Sequence, residues 1–173
     1  AWLLGSSVGI KENLKARLIS NILLDNSGSP LLKALETTPL ANSPSPMCGL
    51  EDSMKEMCFV CGVEGSESKH SQEVEKLILE TLQTTANKGV SNEQIIASLD
   101  QIELSQREIT GSSYPYGLQL ILSCMSGAIH RGDPKELLDN QTVLTDLTED
   151  IQTPNLIKDT IDKIVIQNNH RVI

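Results

Sequence analysis

The sequence predicts an α+β fold, a mixed β-sheet covered by helices, and three observations predict it. Apolar residues recur at helical spacing in several separate stretches. The short β-type stretches cluster in the first third and at the end of the chain rather than alternating with helices, which argues against a doubly wound fold. Aromatics make up only 2% of the 173 residues, so a core drawn from a 39% hydrophobic composition must be mainly Leu, Ile and Val, a composition that suits packed helices better than a β-sandwich. The length fits one domain with one substantial core.

The elements follow in order. Ala1-Trp2-Leu3-Leu4 reads as a strand and Gly5-Ser6-Ser7 as a turn. Ile10, Leu14, Leu18 and Ile22 recur every four residues and mark an amphipathic helix. Asn26-Ser27-Gly28-Ser29-Pro30 breaks it, and Ser29 as cap with Pro30 at the first helical position starts a short helix to about Thr37. Met47–Leu50 and Met57–Cys61, separated by the turn-like Glu51-Asp52-Ser53, read as a hairpin. From Ser68 to Lys88 the pattern is helical, with Val74, Leu77, Ile78, Thr81 and Leu82 as the buried stripe and Gly89 as the stop. Ser91-Asn92-Glu93-Gln94 fits a capping box for a helix reaching about Ile109. After a break at Gly111–Pro115, the stretch Gly117–Ile129 is apolar on nearly every side, which predicts a helix buried all round. Gly132 stops it and Asp133-Pro134-Lys135-Glu136 starts another. Thr153-Pro154 opens a last helix, and a strand begins near Arg171. Because the chain begins and ends inside apparent strands, it reads as a segment of a longer protein.

The formal net charge is −9 and basic residues are scattered. Such a surface repels phosphate backbones, so no nucleic-acid partner is expected. No apolar run approaches the roughly 18 residues needed to span a bilayer, and none opens the chain as a signal peptide would, so no membrane partner is expected.

Three stretches carry a family pattern: Asp25–Leu35; Ile102-Glu103-Leu104-Ser105 followed by Tyr116-Gly117-Leu118-Gln119-Leu120; and Ile129-His130-Arg131-Gly132-Asp133-Pro134-Lys135-Glu136-Leu137-Leu138. Together they resemble, collinearly and over essentially the whole chain, the presequence-protease branch of the insulinase/pitrilysin zinc metallopeptidases. The resemblance implies a parent of roughly a thousand residues, a length that must divide into several domains, folded as four homologous α+β units around a closed chamber. It places residues 1–173 as the second unit, a single non-catalytic domain. The first unit of such a parent carries the inverted zinc motif His-x-x-Glu-His, whose Glu activates water.

No catalytic or metal-ligating set emerges from this segment itself. The nearest approach to the zinc motif, His70-Ser71-Gln72-Glu73-Val74, has Val where the second His must stand, and Val cannot coordinate. His70 is read as exposed in a first helical turn. Cys58-Phe59-Val60-Cys61 spells Cys-x-x-Cys, but side chains three apart on a strand point to opposite faces. Both cysteines, with Cys48 and Cys124, are read as free buried thiols without local partners, which suits a reducing compartment. His130 with Asp133 lacks a nucleophile, and Tyr114 and Tyr116 are read as packing residues.

What remains is a substrate-binding edge. The resemblance implies that this unit offers an exosite strand, and the matching positions are Met47, Cys48, Gly49 and Leu50, with Gly28 and Ser29 in the turn beside them. Unpaired backbone groups on an edge strand bind any extended peptide, and Gly49 would let its backbone approach closely. The expected function is a non-catalytic chamber-wall and substrate-holding domain of a zinc metalloendopeptidase that degrades oligopeptides. The segment would hold no cofactor, the parent would hold zinc, and the partners would be the other three units and peptide substrates. The bacterial cytosol is the expected compartment and an organelle matrix the alternative. The rival reading is an interaction module of a same-fold protein that has lost catalysis.

Overall fold

One helix, α1 (Ile10–Leu24), is the axis on which the other elements are laid. In the computed structural model, which describes residues 1–107, 115–135, 138, 141–150 and 156–173, α1 buries Leu14, Leu18 and Ile22 as their spacing predicts. It also buries Asn13, Ala16, Ile19, Ser20 and Leu23. It is therefore covered on more than one face, by β1 (Trp2–Ser6) on one side and by α2 (Pro30–Thr37) and α4 (Asn92–Arg107) on others. Burying side chains such as Leu18, Ile19 and Leu23 contributes about 1.5–3 kcal/mol each.

The α+β class holds, and every strand pairing among the described residues is antiparallel. The central sheet runs β1, β4 (Glu56–Val60), β3 (Gly49–Glu51). Residues 170–172 run along the outer side of β1: Leu3 N–H donates to His170 O at 2.9 Å, Val172 N–H to Ala1 O at 2.9 Å, and Trp2 bridges Arg171. The strand expected near Arg171 is thus reduced to an isolated bridge to β1. On the sheet, Trp2 and Phe59 stack obliquely with ring centroids 5.9 Å apart, and Met57 and Phe59 are buried while Cys58 faces the other way. A two-stranded ribbon, β2 (Ser43–Pro44) with β5 (Val63–Glu64), flanks the sheet.

The long helix α3 (Ser71–Lys88) packs on α2 and α7 (Leu156–Ile161) through Ile78, Leu82, Thr85 and Ala86. Gly89 ends it at φ 76°, a left-handed conformation that favours glycine, and its N–H reaches Thr85 O at 2.9 Å. The N-cap half of the expected box is present: Gln94 N–H donates to Ser91 Oγ at 3.3 Å, while Gln94 Oε1 accepts from the Ser91 hydroxyl at 3.2 Å. Helix α7 runs on into a π-helical turn, Asp162–Ile166, and Asn168 then ties the chain to Leu3 O at 2.7 Å.

The structure corrects several expectations. Ser29 precedes α2, with Pro30 at its first position, but makes no side-chain cap; its hydroxyl turns back to Asn26 N–H and Asn21 O. Helix α5 (Tyr116–Ile129) is not buried all round: Ile121 is 62% and Ile129 64% exposed, because no described element covers that face. The residue that turns the chain after α5 is Arg131 at φ 67°, with Gly132 N–H closing onto Gly127 O at 2.8 Å. Gly132 is needed for a different reason, since a Cβ there would lie 2.4 Å from Val8 Cγ1. Asp133 accepts Lys135 N–H at 2.9 Å, but among the described residues it opens a turn, and the next helix begins at Gln141. Tyr114, Glu136, Leu137, Thr153 and Pro154, with the expected end of α4 at Ile109, lie outside the described residues. The remaining described helix, α6 (Gln141–Asp150), packs on α1.

Candidate functional site

The hairpin expected from sequence is present, but its first strand starts two residues late. Met47 and Cys48 belong to a turn in which Ser45 O accepts Cys48 N–H at 3.1 Å, and Pro46 presets its second position. The strand proper is β3, paired with β4 in the register Gly49↔Val60, Leu50↔Phe59, Glu51↔Cys58. Among the described residues β3 pairs on that side alone, which makes it an edge of the central sheet.

Two features shape this edge. Gly49 sits at φ 138°, a conformation side-chain-bearing residues rarely adopt, and a Cβ there would meet only Ser20 Oγ at 4.0 Å. The position is open, as the sequence reading requires, but glycine is also demanded by the backbone itself. Beside the edge lies a groove of about 350 Å³ between α1 and α4, lined by Leu50, Asn21, Asp25, Asp52, Gln101 and Ser105 together with Arg17, Ser20 and Ile102. Its polar lining could accompany a peptide main chain whose own amides pair with the strand.

The loop after β3 is tied to α1. Asp52 Oδ2 accepts from Arg17 at 2.6 Å and from Asn13 Nδ2 at 3.2 Å, so one carboxylate satisfies a buried amide and fixes the strand's end. Glu51 accepts from Ser53 N–H at 2.9 Å and from the Ser53 hydroxyl, and these bonds lower its carboxyl pKa.

Gly28 and Ser29 do not open onto this groove. Ser29 is 4% exposed. Gly28 borders another groove, of about 770 Å³, with Pro30, Leu77 and Thr81. Its N–H closes on Asn26 Oδ1 at 2.9 Å.

The cysteines are all free, and Cys58 and Cys61 do not come together. Cys61 lies just past β4 and packs against the core, where burial pushes its thiol up to about 12. The neighbour missed from sequence is Cys48. Extending the register by one step places it opposite Cys61, and Cys48 Sγ receives Gly62 N–H at 3.3 Å and lies 3.3 Å from Gly62 O. That pairing depends on register, which residue spacing alone does not reveal.

His70 ends a 3₁₀ turn before α3 and is half-buried rather than exposed; its Nδ1 is buried without a partner. Among the described residues no group of three or more His, Cys, Asp or Glu side chains is placed to hold a metal ion. The described donor set therefore does not fit zinc. No described helix is long and apolar enough to cross a membrane.

The described residues thus form an α+β unit with an open sheet edge. The chain belongs to the peptidase M16 family: residues 1–102 match the family model of the peptidase M16 inactive domain. It is 29% identical over 171 residues to the mitochondrial presequence protease of Yarrowia lipolytica, covering 98% of this chain and 17% of that protein. It is 31% identical over 175 residues to presequence protease 1, chloroplastic/mitochondrial, of Arabidopsis thaliana, covering 99% and 16%. A bacterial relative, protein HypA of Clostridium perfringens, is 27% identical over 169 residues, covering 98% and 17%. The chain thus spans only 16–17% of the length of these relatives. Among solved structures, a chain from Bordetella pertussis Tohama I assigned to the zinc proteases superposes with a TM-score of 0.67 at 16% identity, covering 96% of this chain and 86% of that one. That likeness concerns the fold.

Proposed function

We propose that residues 1–173 form one chamber-wall and substrate-holding unit of a larger zinc metalloendopeptidase that degrades oligopeptides. The observation that carries this reading is the edge strand β3, paired only with β4 among the described residues and flanked by a polar groove. An extended peptide adds to such an edge through main-chain hydrogen bonds, which give affinity without sequence preference. Gly49 and Leu50 supply the edge, while Met47 and Cys48 flank its entrance. Gly28 lines the neighbouring groove, and the buried Ser29 holds the turn beside it. Zinc and the residues that activate water belong to another unit of the parent, and the remaining units are this domain's partners. The bacterial cytosol or an organelle matrix is the compartment; relatives named mitochondrial or chloroplastic and a bacterial relative support both.

The test is applied to the substrate, so the fold is untouched. In the full-length parent, a long peptide carrying N-methyl groups on alternate residues far from the scissile bond should show a raised KM, because methylation removes the donors that pair with β3. Alanine substitutions at the same residues should change KM little. An unchanged KM on distal N-methylation would sink the substrate-holding role. Absence of zinc-dependent hydrolysis altogether would favour a same-fold interaction module.

A further inference from the structure

Helix α5 inverts the rule for a surface helix. Its outward stripe is Leu118, Ile121, Leu122, Met125 and Ile129, spaced by three and four residues and between 39% and 64% exposed. The rest of the helix is more mixed: Gln119 and Ser123 stand in sequence among the half-buried Leu120 and Cys124 and the buried Gly127. No charged residue occurs anywhere in Tyr116–Ile129. A charge-free stripe running the length of a helix has the character of an interface core, which is depleted in charge and rich in aliphatic side chains and Met.

We propose that this stripe is the surface on which another unit of the same longer polypeptide docks. The inference rests on reading the segment as one unit of such a chain. The occupant is chosen on length and fit. Relatives align with this chain almost end to end, over 98–99% of it, yet that alignment takes up only 16–17% of their own length, so much further polypeptide is present in them to cover a face. A charge-free aliphatic stripe of this length matches burial against a partner. No described element covers the stripe, and the rest of the parent supplies its cover. The docking face of that unit is aliphatic, because the stripe offers neither charge nor a described side-chain hydrogen-bonding group to a polar one.

Two methionines make the inference measurable without mutation. Met125 lies in the stripe at 43% exposure, and Met54 lies on the loop after β3 at 50%. Hydroxyl-radical or peroxide footprinting of the full-length parent, read by mass spectrometry, gives each a native-to-denatured oxidation ratio. Docking predicts that Met125 loses most of its oxidation in the native full-length protein, and that the protection persists on dilution to the monomer. A Met125 ratio as high as expected for an exposed residue overturns the proposal. Protection that vanishes on dilution also overturns it, since a second copy is then the occupant. Hydrolysis by the same preparation is scored separately: a protected Met125 in a protein without peptidase activity leaves the docking face standing and removes the function proposed above.

Discussion

Replacing Asp52 with alanine tests how the candidate edge is held. Asp52 accepts two hydrogen bonds, and they differ in worth. Arg17 is 47% and Asp52 29% exposed as side chains, so their 2.6 Å ion pair is partly hydrated and contributes about 0.2–1 kcal/mol. Asn13 is only 8% exposed, and its amide loses its acceptor when the carboxylate goes. A buried donor left unsatisfied costs about 1–3 kcal/mol, and the partial exposure of Asp52, which lets water in, favours the lower end. Asp52→Ala should therefore destabilise the chain by about 1–2 kcal/mol, most of it through Asn13. Asp52→Asn keeps an acceptor and should cost about 1 kcal/mol or less, as should Arg17→Ala. Urea denaturation of the single and double variants gives the coupling energies. The reasoning fails if Asp52→Asn costs as much as Asp52→Ala, or if the Asn13–Asp52 coupling is no larger than the Arg17–Asp52 coupling.

Three further outcomes are expected. Leu23→Ala, at a fully buried position, should cost about 2–5 kcal/mol, whereas Ile121→Ala in the 1–173 chain should cost about 0.5 kcal/mol or less; calorimetry distinguishes them, and equal losses contradict the burial pattern. Cys61 keeps its proton to about 12 in the fold, while an unfolded thiol ionises near about 8.5. Its contribution is fully present below the unfolded value and is lost as pH rises towards 12, by at most about 1.4 kcal/mol per unit; Cys61→Ala should flatten that decline, and an identical alkaline slope would show that burial does not perturb the thiol. Dialysed 1–173 should contain far less than stoichiometric zinc by metal analysis, and one zinc per chain would contradict the donor geometry.

Strong local signals in the sequence translated directly into structure. The Ser91 cap, the Gly89 stop and the β3–β4 hairpin each rest on spacing within one element or one turn, so neighbours in sequence settle them. The α3 stripe holds only at Ile78 and Leu82, with Thr85 and Ala86 buried and Val74, Leu77 and Thr81 half-buried. The central role of α1 was hidden because Asn13, Ser20 and Asn21 interrupt its apolar pattern, and two of these are buried only because distant groups surround them. For α5 the error ran the other way. The apolar character is visible in sequence, but burial is a tertiary fact, and no described element covers the stripe. At the candidate site, Gly49 and Leu50 were legible, whereas the Cys48–Cys61 juxtaposition, the Asp52 anchor and the groove between α1 and α4 depend on register and on contacts across the fold. Gly28 and Ser29 were grouped with the strand by their position along the chain, yet Gly28 faces another groove and Ser29 is buried.

The most direct measurement of the central claim is amide hydrogen exchange along Gly49–Glu51 in the full-length parent, with a slowly cleaved long peptide and again with a short one. The account predicts that outward-facing amides of this strand slow markedly with the long peptide only, because a short one cannot engage the zinc and this edge together. Exchange at Gly49–Glu51 that is the same with and without the long peptide would contradict it.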